Sequence, residues 1–204
     1  MLRDRNHTSI KVETGRLFLL DQTQLPSNEV WLDVTKPEDM CSAIVRLSVR
    51  GAPLIGVSAA LSLATYASEP NCSASGNSIS IHDFIRVRDA LIATRPTAVN
   101  LQNAMERMSI CVGLHLSDKH VTEHMDGRTL SKREIEALLK TAEEITDEDV
   151  ELCKKIAING ADLIKSGNNV ITHCNTGALA TAGVGTALGA IITAFKDQGK
   201  VIHV

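Results

Sequence analysis

The sequence predicts an α/β protein in two parts, and three observations carry that prediction. Short apolar runs dominate the residues before Val34, as strands do. Capped helical segments follow. Near the C-terminus the pattern changes to an apolar strand, an Ala/Gly-rich helix and a second apolar strand, the signature of a parallel β-α-β unit.

Taken in order, Arg16 to Asp21 is an apolar run after a Thr14-Gly15 turn, and Val30 to Val34 is another after Pro26-Ser27-Asn28. Thr35-x-x-Glu38, with Pro37 in the first turn, predicts a capping box opening a helix whose buried side carries Met40, Ile44, Val45 and Leu47. That helix is expected to stop near Gly51, and Val57 to Tyr66 reads as a second, apolar helix. Ser68 to Ser80 is rich in Ser, Asn, Gly and Pro and reads as a surface loop. Ser80-x-x-Asp83 starts a helix to about Thr94, and Thr97 is expected to cap another from Ala98 to about Leu114. After a polar hinge from His120 to Thr129, Ser131-x-x-Glu134 caps a long charged helix or helix pair ending at Gly167. From Val170 the chain predicts a strand, a helix over 178–198 and a parallel strand over 201–204. The predicted division is a small N-terminal α+β domain (1–125), then a connecting helix and the first β-α-β unit of a Rossmann-like parallel sheet (126–204). One such unit cannot cover both faces of a parallel sheet, so the chain is expected to be part of a larger design.

Composition narrows the function. At 204 residues the chain can bury a genuine core, and its 44% apolar and 22% charged content is ordinary for a globular protein. A net charge of −3 gives no reason to expect nucleic acid or an anionic membrane as partner. Aromatics are 2% of residues, which leaves almost nothing on which to stack nucleobases. Cys41, Cys72, Cys111, Cys153 and Cys174 are widely spaced, form no C-x-x-C pair and read as reduced thiols. With a polar N-terminus and no apolar run of membrane-spanning length, a soluble cytoplasmic protein is expected.

Three short segments could carry chemistry. Arg50-Gly51-Ala52-Pro53 sits between two helices and offers a planar cationic fork suited to phosphate beside a glycine turn, although a plain helix C-cap also explains it. Arg95-Pro96-Thr97-Ala98-Val99-Asn100 repeats the arrangement of basic residue, rigid turn and helix start, and can be nothing more than that start. The third runs from Thr172 through His173-Cys174-Asn175-Thr176-Gly177 to Gly183. It predicts a strand, a tight turn and a helix, with Cys174 just before a helix N-terminus whose dipole and amides would favour a thiolate. Most free cysteines, by contrast, are small buried hydrophobes. His173 alternates to the opposite side of the strand and reads as structural. Gly183-x-Gly185-x-x-x-Gly189 has the wrong spacing for a dinucleotide fingerprint and is read as helix–sheet packing. His120-x-x-Glu123-His124 lacks a third ligand and reads as a loop, and the acidic run Glu143 to Glu151 reads as a helix face in water.

Jointly, R-G-A-P-L-I-G (50–56), R-P-T-A-V-N (95–100) and T-H-C-N-T-G-A-L-A-T-A-G (172–183) resemble the methylthioribose-1-phosphate isomerases. These share a wider family with the regulatory subunits of translation initiation factor 2B and the ribose-1,5-bisphosphate isomerases. The resemblance covers nearly the whole chain in the right order. It implies an intramolecular oxidoreductase of methionine salvage, an aldose–ketose isomerase converting 5-methylthioribose 1-phosphate to 5-methylthioribulose 1-phosphate without metal or organic cofactor. It implies substrate contacts from Arg50, Gly51, Ala52 and Arg95, a catalytic Cys174, and a homodimer. It also implies a general-acid Asp, a substrate-binding Gln and an Asn-Lys pair in motifs that this chain does not contain, so activity is expected of the protein the chain belongs to. The alternatives are a non-catalytic binding subunit like those of the initiation factor, which are not expected to keep T-H-C-N-T-G, or an isomerase of a related pentose 1-phosphate.

Overall fold

In the computed structural model, which describes residues 1–68, 79–117 and 127–204, the chain opens with four antiparallel strands paired in sequence order. They are β1 (Arg5–Asn6), β2 (Ile10–Glu13), β3 (Arg16–Leu20) and β4 (Trp31–Asp33). Thr14 and Gly15 join β2 to β3 at φ of 50° and 80°, the left-handed pair that a tight hairpin needs. Strand alternation turns Ile10, Val12, Leu17 and Leu19 into the core, paired across the hairpin as Ile10 with Leu19 and Val12 with Leu17.

Among the described residues six α-helices follow: α1 (Pro37–Val45), α2 (Ala52–Ser68), α3 (Ile81–Thr94), α4 (Val99–Ile110), α5 (Lys132–Leu163) and α6 (Ala187–Lys196). α2 is buried around its whole circumference from Leu54 to Thr65, which accounts for its nearly unbroken apolar sequence. One core joins β2, β3 and α1 to α4 and continues onto the first half of α5 through Leu138, Ala142 and Ile145. The expected long charged segment is a single helix, and its second half turns Cys153, Ala157 and Ala161 inward. There Gly160 lies so close to α6 that a Cβ on it would stand 2.7 Å from that of Ala190.

Two expected caps form and two do not. Ser80 Oγ accepts the Asp83 N–H at 3.0 Å, and Ser131 with Glu134 makes a full capping box at the start of α5. Thr35, however, donates its hydroxyl to Asp33 Oδ1 at 2.6 Å, so Lys36 is the N-cap of α1 and Pro37 alone sets its first turn. Likewise Ala98, not Thr97, precedes α4, with no side-chain cap. α1 also stops earlier than expected, at Val45; Met40 and Ile44 are buried, but Val45 and Leu47 are exposed. Cys72, most of the Ser68–Ser80 loop and the His120-x-x-Glu123-His124 motif lie outside the described residues.

Ser131→Ala should lower stability by about 1 kcal/mol in urea unfolding, because it frees the Glu134 amide. Burial pushes the Glu134 carboxyl up, but hydrogen bonds from Ser131 and the Arg128 guanidinium outweigh this and hold it below the usual value. Its contribution is therefore present above the ordinary glutamate range and lost as pH falls through the lowered value. The cost of Ser131→Ala should shrink in the same acid window, and an unchanged cost there would contradict this coupling.

The C-terminal segment departs most from expectation. Segments 170–173 and 201–204 do run parallel, with Val170 N–H donating to His203 O at 2.8 Å and His203 N–H to Asn168 O at 3.1 Å. The one bridge there, however, joins Asn169 to His203, and neither segment is a regular strand. Without neighbours to cover it, Ile171 is 97% exposed. The helix expected over 178–198 is regular only from Ala187 to Lys196. Ala178–Ala180 is one 3₁₀ turn, and the chain bends from there to Thr186. Two glycines cause the break. Gly185 takes φ of 98°, and Gly183 is pressed against Cys153 and Val150 of α5, where a Cβ would meet Cys153 Cβ at 2.7 Å.

Candidate functional site

The R-G-A-P segment lies between the other two motifs, and two glycines make this possible. Gly51, at φ of 94°, opens α2 and carries its backbone against the 3₁₀ turn, so that a Cβ would stand 2.4 Å from Ala180 O. One turn on, Gly56 lets the start of α4 approach, where a Cβ would meet Asn100 O at 2.8 Å. Gly51 thus seats α2 on the third motif and Gly56 seats it on the second. Arg50 is exposed at this junction, and Arg95 is partly buried at the end of α3, where its carbonyl accepts the Ala98 N–H at 2.9 Å. Among the described residues neither guanidinium makes a hydrogen bond or ion pair, which leaves both forks available to an anion.

Cys174 sits differently from expectation. It is exposed and holds φ of 67°, a left-handed conformation uncommon for residues other than glycine, where it turns the chain after the 170–173 segment. No regular helix begins directly after it. The helix N-terminus that closes on this turn is that of α6, and Thr176 takes its amide: Leu188 N–H donates to Thr176 Oγ1 at 3.2 Å, and Thr186 N–H to Thr176 O at 2.7 Å. The hydroxyls of Thr172 and Thr176, 3.1 Å apart, close the turn around Cys174. The dipole argument for Cys174 is therefore replaced by exposure and a tightly tied turn. Burial pushes the Cys153 and Cys41 thiols up, and both fit the bland reading of cysteine as a small hydrophobe.

Several residues at this junction were not visible in the sequence. Gln22 donates its backbone N–H to Ser48 O at 3.0 Å and its side-chain amide to Leu179 O at 2.7 Å, tying the approach to Arg50 to the third motif. Asp149 accepts the Ala182 N–H at 2.7 Å. Burial pushes its carboxyl up against the opposing pull of that amide and of His7. The acidic run of α5 is largely exposed, as expected of a helix face in water, but several of its carboxylates are paired. Glu143 and Asp147 pair with Arg3 and Arg5, and Glu148 is gripped by Arg107 at 2.5 and 2.8 Å. A cavity of about 190 Å³ opens where α2, α4 and α5 meet, lined by Pro53, Gly56, Asn100, Arg107, Glu148 and Asp149 among others. Pro53 and Asn100 connect it to the first two motifs, but Arg50, Arg95 and Cys174 do not line it. Among the described residues no group of three or more His, Cys, Asp or Glu side chains is placed to hold a metal ion, and no helix is long and apolar enough to cross a membrane.

The sequence profile of the initiation factor 2 subunit family matches residues 48–204. The chain is 37% identical over 199 residues to the methylthioribose-1-phosphate isomerase of Serratia proteamaculans, covering 98% of this chain and 51% of that protein. It is 42% identical over 197 residues to the enzyme of the same name from an Enterobacter species, covering 97% and 50%. Among solved structures, 5-methylthioribose 1-phosphate isomerase from Pyrococcus horikoshii superposes with a TM-score of 0.76 at 28% identity, over 97% of this chain and 51% of that one. The delta subunit of translation initiation factor eIF-2B from A. fulgidus gives 0.71 at 33% identity, over 97% and 53%. The chain spans about half the length of the curated relatives it matches.

Proposed function

The chain belongs to the initiation factor 2 subunit family, and from that membership we propose that it supplies the phosphate grip and the thiol of an aldose–ketose isomerase acting on 5-methylthioribose 1-phosphate. The observation that carries this reading is the seating of Gly51 on Ala180, which holds R-G-A-P against the loop that begins at Cys174. The curated relatives cited, matched over nearly the whole chain, carry the isomerase name. In this reading residues 1–125 form the gripping domain, and 126–204 form a connecting helix and the start of a Rossmann-like sheet domain. The family resemblance supports a cytoplasmic homodimer.

The chemistry explains the residue types. Phosphate on the anomeric carbon locks the sugar as a ring, so the C1–O4 bond must break, with a proton delivered to O4, while the phosphate stays attached. Arg50, Arg95 and the backbone around Gly51 hold the phosphate and the sugar beside it, each ionic hydrogen bond contributing about 1.5–3 kcal/mol. The C2 hydrogen then moves to C1, and the C2 hydroxyl loses its proton to become the ketone. Cys174 carries the migrating proton if an enediol forms, or polarises the C2 oxygen if hydride moves. Neither route needs an external oxidant or reductant, since the substrate supplies both the oxidised and the reduced carbon.

Incubation of the protein the chain belongs to with 5-methylthioribose 1-phosphate, followed by phosphorus and carbon NMR, should show a ketose that keeps its phosphate. Arg50→Ala and Arg95→Ala should each weaken binding of the sugar 1-phosphate about 10-fold or more in calorimetric titration. Unchanged affinity in both would make them helix-junction residues only. The second reading, a non-catalytic sugar-phosphate or nucleotide sensor, draws on the likeness to the initiation-factor subunit. Its outcome would be saturable binding with no ketose.

A further inference from the structure

We propose that Gln22 and Asp149 are positioning residues that clamp the loop from Ala178 to Gly183 from two sides, and so fix the turn carrying Cys174 against the phosphate grip at Gly51. The proposal rests on the isomerase reading for its consequence, but not for its geometry. The loop lacks regular hydrogen bonding between its 3₁₀ turn and Thr186, so its polar groups need outside partners. Gln22 Nε2 donates to Leu179 O at 2.7 Å, and Asp149 Oδ2 accepts from Ala182 N–H at 2.7 Å. The two contacts bracket Ala180, the residue on which Gly51 rests.

Both clamps are anchored independently of the loop. The Gln22 backbone is bonded to Ser48 O, two residues before Arg50. Asp149 is built into the middle of α5, between Glu148, gripped by Arg107, and Val150, which packs against the core. Gly183 pressed on Val150 and Cys153 brings the loop down to that carboxylate. A hydrogen bond to a half-buried carboxylate is stronger than one between neutral groups, and losing it leaves the Ala182 amide without the partner it has here. The functional consequence follows from geometry: small displacements of a reacting group cost more in turnover than in binding.

The donor and acceptor roles make the test specific. Asp149→Asn keeps an acceptor oxygen for Ala182, whereas Asp149→Ala keeps none. Gln22→Glu keeps the length but removes the donor and sets a carboxylate against the Leu179 carbonyl. Hydrogen exchange of the protein should show residues 178–183 exchanging about 10-fold faster or more in Asp149→Ala and Gln22→Glu, with α2 and α4 unchanged and Asp149→Asn close to the parent. With 5-methylthioribose 1-phosphate, kcat should fall about 10-fold or more in the first two variants while KM stays within a few-fold, and Asp149→Asn should be rescued. Loop exchange equal to the parent's, faster exchange spread over α2 and α4, or a freed loop with unchanged kcat would each overturn the proposal. If the protein the chain belongs to forms no ketose even without these substitutions, the isomerase reading fails, and exchange alone decides whether the clamp exists.

Discussion

Gly51→Ala should destabilise the protein by about 2–5 kcal/mol, far beyond the cost of one methyl group. Two terms add. Any L residue at φ of 94° is strained, by about 1–2 kcal/mol. The new Cβ would also stand 2.4–2.5 Å from the carbonyl oxygen, Cα and Cβ of Ala180. Two of those atoms are backbone, in a turn held at Leu179 and Ala182, so the clash cannot be relieved by swinging a side chain, and overpacking costs about 1–3 kcal/mol more. Gly113→Ala is the internal control, since Gly113 also has positive φ, 72°, but nothing lies within 4 Å of its virtual Cβ. Urea unfolding should separate the two by the clash term. Equal destabilisation would mean that Gly51 serves only as a turn residue and that its contact with Ala180 yields freely.

In the protein the chain belongs to, Cys174→Ser should lower turnover of 5-methylthioribose 1-phosphate by about 10²–10⁴-fold while leaving affinity within a few-fold. Serine keeps the size and hydrogen bonding but lacks the easily ionised, polarisable sulfur. The other described cysteines have ordinary explanations. Cys41 is half-buried on α1, and Cys111 is half-buried at the C-cap of α4, 3.1 Å from the Thr141 hydroxyl. Cys153 is buried under the loop at Gly183. Cys153→Ser should therefore cost stability with turnover per folded molecule retained, and Cys41→Ser and Cys111→Ser should cost little of either. Near-normal turnover in Cys174→Ser would reduce the thiol to a turn residue.

Elements with a local physical cause were legible in the sequence. The Thr14-Gly15 turn, the Ser80 and Ser131 caps and the buried α2 each follow from a few adjacent residues, whereas the strand Ile10–Glu13 that the turn joins to β3 was not read. Expectation failed where a distant partner outcompeted a local one. Thr35 would have capped α1 had Asp33 not taken its hydroxyl. The helix expected from Ala178 would have been regular had Gly183 not been drawn onto α5 and Thr176 not tied off the start of α6. The same holds for the site. Arg50, Gly51, Arg95 and Cys174 stand in recognisable motifs, but Gln22 sits in an unremarkable polar stretch, and Asp149 is one carboxylate in an acidic run. Only the fold reveals that the loop carbonyl of Leu179 and the amide of Ala182 point at them. The one sequence signal for Asp149 was its place in a helix whose neighbouring residues, Val150 and Cys153, are apolar.

The central claim is that the three motifs form one sugar 1-phosphate site, and protection of Cys174 from alkylation tests it most directly. Cys174 is exposed while Cys41, Cys111 and Cys153 are half-buried or buried, so iodoacetamide with peptide mass mapping should label Cys174 first among them. Saturating 5-methylthioribose 1-phosphate should slow labelling of Cys174 about 10-fold or more, and Arg50→Ala or Arg95→Ala should shift that protection to about 10-fold higher ligand concentration. Labelling of Cys174 at the same rate with and without the sugar phosphate would contradict the account, because the thiol and the two arginines would then not share a site.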